Sequence, residues 1–152
     1  MGIEKNQTAQ KLLASFNKLK RLNINKCPVE GLTPGELAVL FCIKKNITSE
    51  NLGLKVSEIS RHLRVASPTI TQQINGLEAR GFVERNIDSK DRRAVRIKLT
   101  EKGQSSTDNA LDAFHLSLEG LINYLGKDES NHLAELLSKV FDYFSEMDGS
   151  KY

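Results

Sequence analysis

Two short amphipathic segments about three residues apart constrain this chain more than any other feature of it. "VSEISRHL" (56–63) carries Val56, Ile59 and Leu63, and the run that follows carries Ile70, Ile74 and Leu77. Both spacings return to one side of a helix with 3.6 residues per turn. Ser67 reads as the cap of the second helix and Pro68 as its first helical residue, where a missing N–H costs nothing. Gly81 stands where a left-handed terminal residue is wanted. Helices this short bury little alone; linked by "RVA" they read as a helix-turn-helix.

After Gly81 the apolar period drops to two. "GFVER" and "AVRIKLT" read as paired strands, with Val95, Ile97 and Leu99 facing one side and Arg96 and Lys98 the other. The loop between them, "NIDSKDR", is longer and more charged than a tight hairpin needs. Upstream, Thr33 caps a helix with Pro34 in its first turn and Leu37, Leu40 and Phe41 on its apolar face. Residues 46–54 are polar and turn-like.

The ends of the chain are helical as well. Leu12, Leu13, Phe16, Leu19 and Leu22 form one apolar stripe before "NKCPVEG" breaks it. After Thr100, a loosely signalled start, comes a helix with Leu111, Phe114, Leu118, Leu121, Ile122 and Leu125. A last helix carries Leu133, Leu136, Leu137, Val140, Phe141 and Phe144. The expectation is a mainly α chain with one small β-hairpin, a single domain over residues 1–152. A central lobe (33–103) would be flanked by terminal helices (1–30 and 104–152). Those terminal stripes are too apolar for the surface of a chain of 152 residues. Leu12, Leu13, Phe16 and Leu19, with Leu133, Leu137, Val140, Phe141 and Phe144, are therefore expected to pair across a two-fold axis in a homodimer. An intramolecular bundle is the alternative.

Net charge is only +3, but it is segregated. Residues 1–26 hold six Lys/Arg against one acid, residues 27–103 thirteen against nine, and residues 104–152 three against nine. An anionic partner is expected on the N-terminal two thirds. Two elements there are suited to one. On the second helix of the pair, the face opposite the isoleucines carries Ser67, Pro68, Thr69, Thr71, Gln72, Gln73 and Asn75. Glutamine pairs bidentately with adenine, and threonine offers a hydroxyl and a methyl to thymine; a merely solvated face would hold more Lys and Glu. The hairpin loop holds Lys90, Asp91, Arg92 and Arg93, cations suited to phosphates or a narrow minor groove. Its acids argue against a plain electrostatic comb, and one of them is expected to brace an arginine.

Other chemistries find little support. His62, His115 and His132 lie in three separate helices, without the spacing of a metal site, and no phosphate-binding glycine loop or nucleophile elbow is present. No metal, cofactor or enzymatic activity is expected. Cys42 sits in an apolar run and reads as core. Cys27, beside Lys26, leaves a thiol-based redox response open. The longest apolar run, "LAVLFCI" (37–43), is too short to span a bilayer, and no secretory signal is evident; a cytoplasmic protein without membrane attachment is the expectation.

"VSEISRHLRVASPTITQQINGLEARGFVER" followed by "DSKDRRAVRIKLTEKG" resembles the multiple-antibiotic-resistance regulator (MarR) family of bacterial transcription factors. The resemblance covers residues 55–103. It implies a winged helix-turn-helix homodimer that binds pseudo-palindromic double-stranded DNA, as a repressor in many members, with the helix from Ser67 as recognition helix. The family's Asp-x-Arg wing motif falls on Asp91, Arg92 and Arg93, which implies that Arg93 reaches the minor groove and Asp91 braces it. Many members release DNA on binding a small aromatic or phenolic effector. Some sense oxidants through a cysteine in the first helix, which this chain lacks. A winged-helix module kept for protein contacts alone is the competing reading.

Overall fold

In the computed structural model, residues 6–22, 29, 31–49 and 53–149 are described. α1 (Gln7–Arg21) starts where the Asn6 side chain accepts the N–H groups of Thr8 and Ala9, and it buries none of its residues. α2 (Pro34–Lys45) opens on a capping box: Glu36 N–H donates to Thr33 Oγ1, and the Glu36 carboxylate accepts Thr33 N–H at 3.0 Å. Leu37, Val39, Leu40, Cys42 and Ile43 are all buried, so α2 is enclosed on more sides than the single stripe of Leu37, Leu40 and Phe41 suggests.

α3 (Val56–Leu63) and α4 (Ser67–Ala79) pack on α2 and on each other. Arg64, between them, adopts a left-handed φ of 53° and lets the chain turn within three residues. Ser60 Oγ donates to Val65 O at 2.6 Å and closes that turn. α4 begins one residue earlier than the sequence suggests. Ala66 is its cap without a side-chain hydrogen bond, so Ser67 is already helical and its exposed hydroxyl is not spent on capping. The other end is as expected. Gly81, at φ 78°, lets Phe82 N–H reach Leu77 O and Gly81 N–H reach Glu78 O, both at 2.9 Å.

β1 (Val83–Ile87) and β2 (Val95–Leu99) form an antiparallel hairpin with Arg85 opposite Ile97 and Ile87 opposite Val95. β1 thus takes in Asn86 and Ile87, so the loop runs over residues 88–94, displaced by two from the expected "NIDSKDR" at 86–92. Of the three apolar positions on β2, Ile97 is fully buried, whereas Val95, near the loop, is exposed. Leu54 exchanges two backbone hydrogen bonds with Ile97, at 2.9 and 2.7 Å. The end of the turn-like segment 46–54 is therefore a short extension of the sheet. Leu40, Ile43, Ile59, Ile70, Ile74, Leu77 and Ile97 form the fully buried core around which these elements close, each worth about 1.5–3 kcal/mol of burial.

α5 (Glu101–Leu125) begins firmly rather than loosely. Thr100 Oγ1 accepts Gly103 N–H at 3.0 Å and donates to Gly81 O at 2.5 Å, while Lys102 Nζ donates to Arg80 O at 2.7 Å. The start of α5 thereby clasps the turn that ends α4. Gly103 approaches so closely that a Cβ there would overlap the Phe82 carbonyl oxygen. The chain divides into two compact units at Thr107 and Asp108, so the first turns of α5 belong with the preceding lobe. The second unit holds the remainder of α5 and α6 (Lys127–Gly149), joined through Gly126 at φ 87°.

Candidate nucleic-acid interface

α4 presents three distinct sides. Ile70, Ile74 and Leu77 point into the core. Ser67, Pro68, Thr69, Thr71, Gln72 and Asn75 are exposed, forming the polar surface that the periodicity predicts. Gln73 departs from that surface. It is half-buried and leans toward α2, where a Cβ on Gly35 would overlap its Nε2. Residue 73 follows the inward-pointing Ile70 by three positions, which carries its side chain to the flank shared with α2 rather than outward.

The same flank is locked by Arg80. Its guanidinium pairs with Glu36, donates to Gly31 O at 2.6 Å and Gly76 O at 3.0 Å, and lies 5.7 Å from the centre of the Phe82 ring. The opposite flank is held by Arg85 of β1, which pairs with Glu78 and donates to Asn75 Oδ1 at 2.6 Å. The exposed face of α4 is thus held in orientation by an arginine on each side. Neither role shows in a helical period: Arg80 reaches Gly31, 49 residues away, and Arg85 reaches back across the Gly81 turn to residues seven and ten before it.

The wing explains why acids sit in a basic loop. Asp88 Oδ1 accepts Lys90 N–H at 2.8 Å, and Asp91 Oδ1 accepts Arg93 N–H at 3.0 Å. Each aspartate bends the backbone two residues ahead of itself. Asp91 also accepts Ala94 N–H on its carbonyl oxygen at 2.9 Å, which makes Asp91–Ala94 a β-turn with Arg92 and Arg93 at its two central positions. The expected brace of Arg93 by Asp91 is therefore made to its backbone N–H and not to its guanidinium. A carboxylate–guanidinium pair does exist at the root of the wing. Arg96 Nε donates to Asp88 Oδ2 at 2.5 Å, and Arg96 Nη1 lies 3.0 Å from Gly53 O and 3.6 Å from Glu58 Oε2. The Lys90 N–H and then the Arg96 guanidinium hold the Asp88 carboxyl down at about 2.

Six basic side chains lie in or beside this hairpin, and they fall into two groups. Arg85, Arg96 and Lys98 are engaged internally, Lys98 with Glu84 at 2.9 Å, an interaction that lowers the Glu84 pKa. Lys90, Arg92 and Arg93 are all exposed, and their cationic groups form no ion pair among the described residues. Charge that is already neutralised attracts little, so the attraction toward an anion is concentrated at the tip.

The residues expected to join two copies are all exposed in the single chain. On α1, Leu12, Leu13, Phe16 and Leu19 are about half exposed; on α6, Leu133, Leu137, Val140, Phe141 and Phe144 range from 37% to 63%. Cys27 lies outside the described residues. Cys42 is buried, and burial pushes its thiol up more strongly than the Asn46 amide and the Lys45 charge draw it down, as suits a core residue.

A three-helix core with an exposed amide-and-hydroxyl helix face, followed by a hairpin with cations at its tip, defines a winged helix-turn-helix protein. The chain belongs to the MarR family, whose sequence pattern matches residues 32–95. It is similar to the transcriptional repressor MprA of Escherichia coli (strain K12), at 30% identity over 91% of this chain and 73% of that protein. It is also similar to the HTH-type transcriptional repressor MdtR of Bacillus subtilis (strain 168), at 27% identity over 85% of this chain and 80% of that one. Among solved structures, Streptococcus pneumoniae FabT in complex with DNA shares the fold, with a TM-score of 0.68, 21% identity, and coverage of 91% of this chain and 95% of that one.

Proposed function

We propose that this chain is a sequence-specific DNA-binding transcriptional repressor that acts as a homodimer on a pseudo-palindromic operator. The observation that carries the reading is the division among the hairpin's basic residues: the root cations are neutralised internally, whereas Lys90, Arg92 and Arg93 are exposed without ion-pair partners among the described residues. They lie one strand after an exposed helix face rich in amides and hydroxyls. α4, of 13 residues, is roughly 20 Å long, enough to lie in a major groove. The wing tip would then reach the adjacent minor groove, with Arg93 as the inserted residue. The names of the relatives MprA and MdtR support the repressor assignment, and the DNA complex of the FabT fold supports the partner.

The exposed apolar faces of α1 and α6 support a second copy as their cover. A two-fold dimer sets two recognition helices about one helical turn apart, roughly 10 base pairs centre to centre. Within this reading the protein is cytoplasmic, has no catalytic role, and releases DNA in response to a small aromatic or phenolic effector. Selection of bound duplexes from a random library tests the assignment, followed by titration of the preferred duplex at several salt concentrations. A palindromic consensus is expected, with affinity falling by a log–log slope of roughly 0.9 per neutralised phosphate. Binding without sequence preference and without salt dependence would sink it. A screen for compounds that release the selected duplex then tests the effector class.

A further inference from the structure

Arg85 does more than neutralise a charge. Its guanidinium spans two residues of α4 one turn apart, pairing with Glu78 through Nη1 and donating to Asn75 Oδ1 through Nη2 at 2.6 Å. A guanidinium has only donors. The Asn75 atom that faces it must therefore be the carbonyl oxygen, which settles the orientation of the amide on chemical grounds. Because Glu78 holds the other guanidinium nitrogen, Arg85 is kept against the flank of α4. Asn75 itself is exposed, on the same side of the helix as Thr71 one turn before it.

We infer that Arg85 is a positioning residue that presents Asn75 to the operator as a hydrogen-bond donor, through Nδ2, toward an acceptor on the DNA. This rests on the function proposed above. The usual asparagine–adenine pair needs Oδ1 to accept from the base while Nδ2 donates. Here Oδ1 is drawn sideways by a charge-assisted bond, and Nδ2 carries the two N–H groups left to spend. Two sources on DNA offer the matching acceptor. One is the guanine edge, O6 and N7, and the other is a phosphate oxygen. The chemistry of recognition is the same for both, but the consequences for sequence choice differ.

Two substitutions test this in the full-length protein, each checked for an unchanged melting profile. Asn75→Asp keeps an oxygen for Arg85 and replaces the outward donor by an acceptor. It is expected to weaken binding to the wild-type consensus by about tenfold or more, and by more than Asn75→Ala does, because two acceptors then face each other. If the partner is guanine, the loss is confined to duplexes with guanine at one position per half-site, and preference there moves toward cytosine, whose N4 donates. If it is phosphate, every duplex loses affinity alike and the consensus is unchanged. Arg85→Met removes the donors while keeping the side-chain bulk. In that background Asn75→Ala should cost less than it does in the wild type, a coupling that independent structural roles would not produce.

Wild-type affinity in Asn75→Asp would overturn the inference. So would a wild-type preference for adenine that Asn75→Ala abolishes, or strictly additive effects of Arg85→Met and Asn75→Ala. If the wild-type protein selects no duplex at all, the proposed function fails with it; if it selects one and Asn75→Asp binds that duplex equally well, only the role of Arg85 and Asn75 falls.

Discussion

Asp88 Oδ2 accepts Arg96 Nε at 2.5 Å, so the aspartate–arginine pair of the hairpin lies at the root of the wing and not at its tip. Arg96 extends the same clamp to Gly53 O and toward Glu58 of α3. Arg96 thereby adds a tie between the wing and α3 to the one that Arg85 makes with α4, which leaves Lys90, Arg92 and Arg93 to project from a fixed base.

The Asp88 clamp should be acid-sensitive. Its carboxyl titrates at about 2 in the folded protein against an ordinary 3.8, held down first by the Lys90 N–H and then by Arg96. A depressed folded pKa stabilises the native state above the unfolded value, and the contribution fades as pH falls through the folded one. Urea midpoints of the wild type and Asp88→Asn should therefore differ at pH 7 and near pH 4. They should converge as pH approaches about 2.

Gly103→Ala should destabilise the winged lobe. The added Cβ would overlap the Phe82 carbonyl oxygen, a backbone atom that cannot move aside without displacing β1 or α5. A destabilisation of about 1–3 kcal/mol is expected from overpacking of this kind, measured as a lower urea midpoint with an unchanged denaturant slope. Lys102→Ala should cost less, because it removes one hydrogen bond to Arg80 O and a cation over the Phe82 ring without forcing the backbone apart.

The tip and the helix face should fail differently in DNA binding. Arg93→Ala should weaken binding across sequences and reduce preference for A·T-rich flanks. It should also lower the salt slope by roughly 0.9 for each phosphate that is no longer neutralised. Gln72→Ala should leave the salt slope unchanged and relax choice at particular base pairs. Gln73→Ala, by contrast, should act on stability more than on choice, because Gln73 leans toward α2. Salt titrations, duplex selection and urea unfolding of the three variants separate these outcomes.

Phe141→Glu should separate the proposed dimer. Phe141 is 63% exposed in the single chain, and a carboxylate placed among apolar residues of an interface has no partner to offset its desolvation. Sedimentation should show single chains, with affinity for a palindromic duplex reduced to that of one half-site. The same substitution should leave the melting of the winged lobe nearly unchanged if the chain is already monomeric. A variant that still sediments as a dimer would move the interface off this face.

Much of the architecture is legible because it is written in local patterns. The Thr33-Pro34-x-Glu36 start, the periodicity of Ile70, Ile74 and Leu77, and the glycine at position 81 each act within a turn or two of the chain. The structure repeats them nearly residue for residue. The misplacements are equally local in character. Ser67 moves from cap to first turn, with Ala66 as a cap that makes no side-chain hydrogen bond, because a helix boundary costs little to shift by one residue. Gln73 leaves the reading face because helical angle alone does not say how far a neighbouring helix reaches around.

By itself, the sequence determined which segments are helical, where the hairpin lies, and that a polar helix face precedes a basic turn, since propensity, capping and period are properties of neighbouring residues. Which charges are neutralised and which remain available follows from the packing of distant segments. Arg80 with Glu36, Arg85 with Asn75 and Glu78, and Arg96 with Asp88, Gly53 and Glu58 are joined by the packing of α2, α3, α4 and the hairpin. From the sequence, one of the loop aspartates is expected to brace an arginine side chain, and the family resemblance implies Asp91 on Arg93. Folding turned Asp91 to a backbone N–H and gave Asp88 the guanidinium of Arg96, because a carboxylate takes whichever donors the packed chain brings within reach.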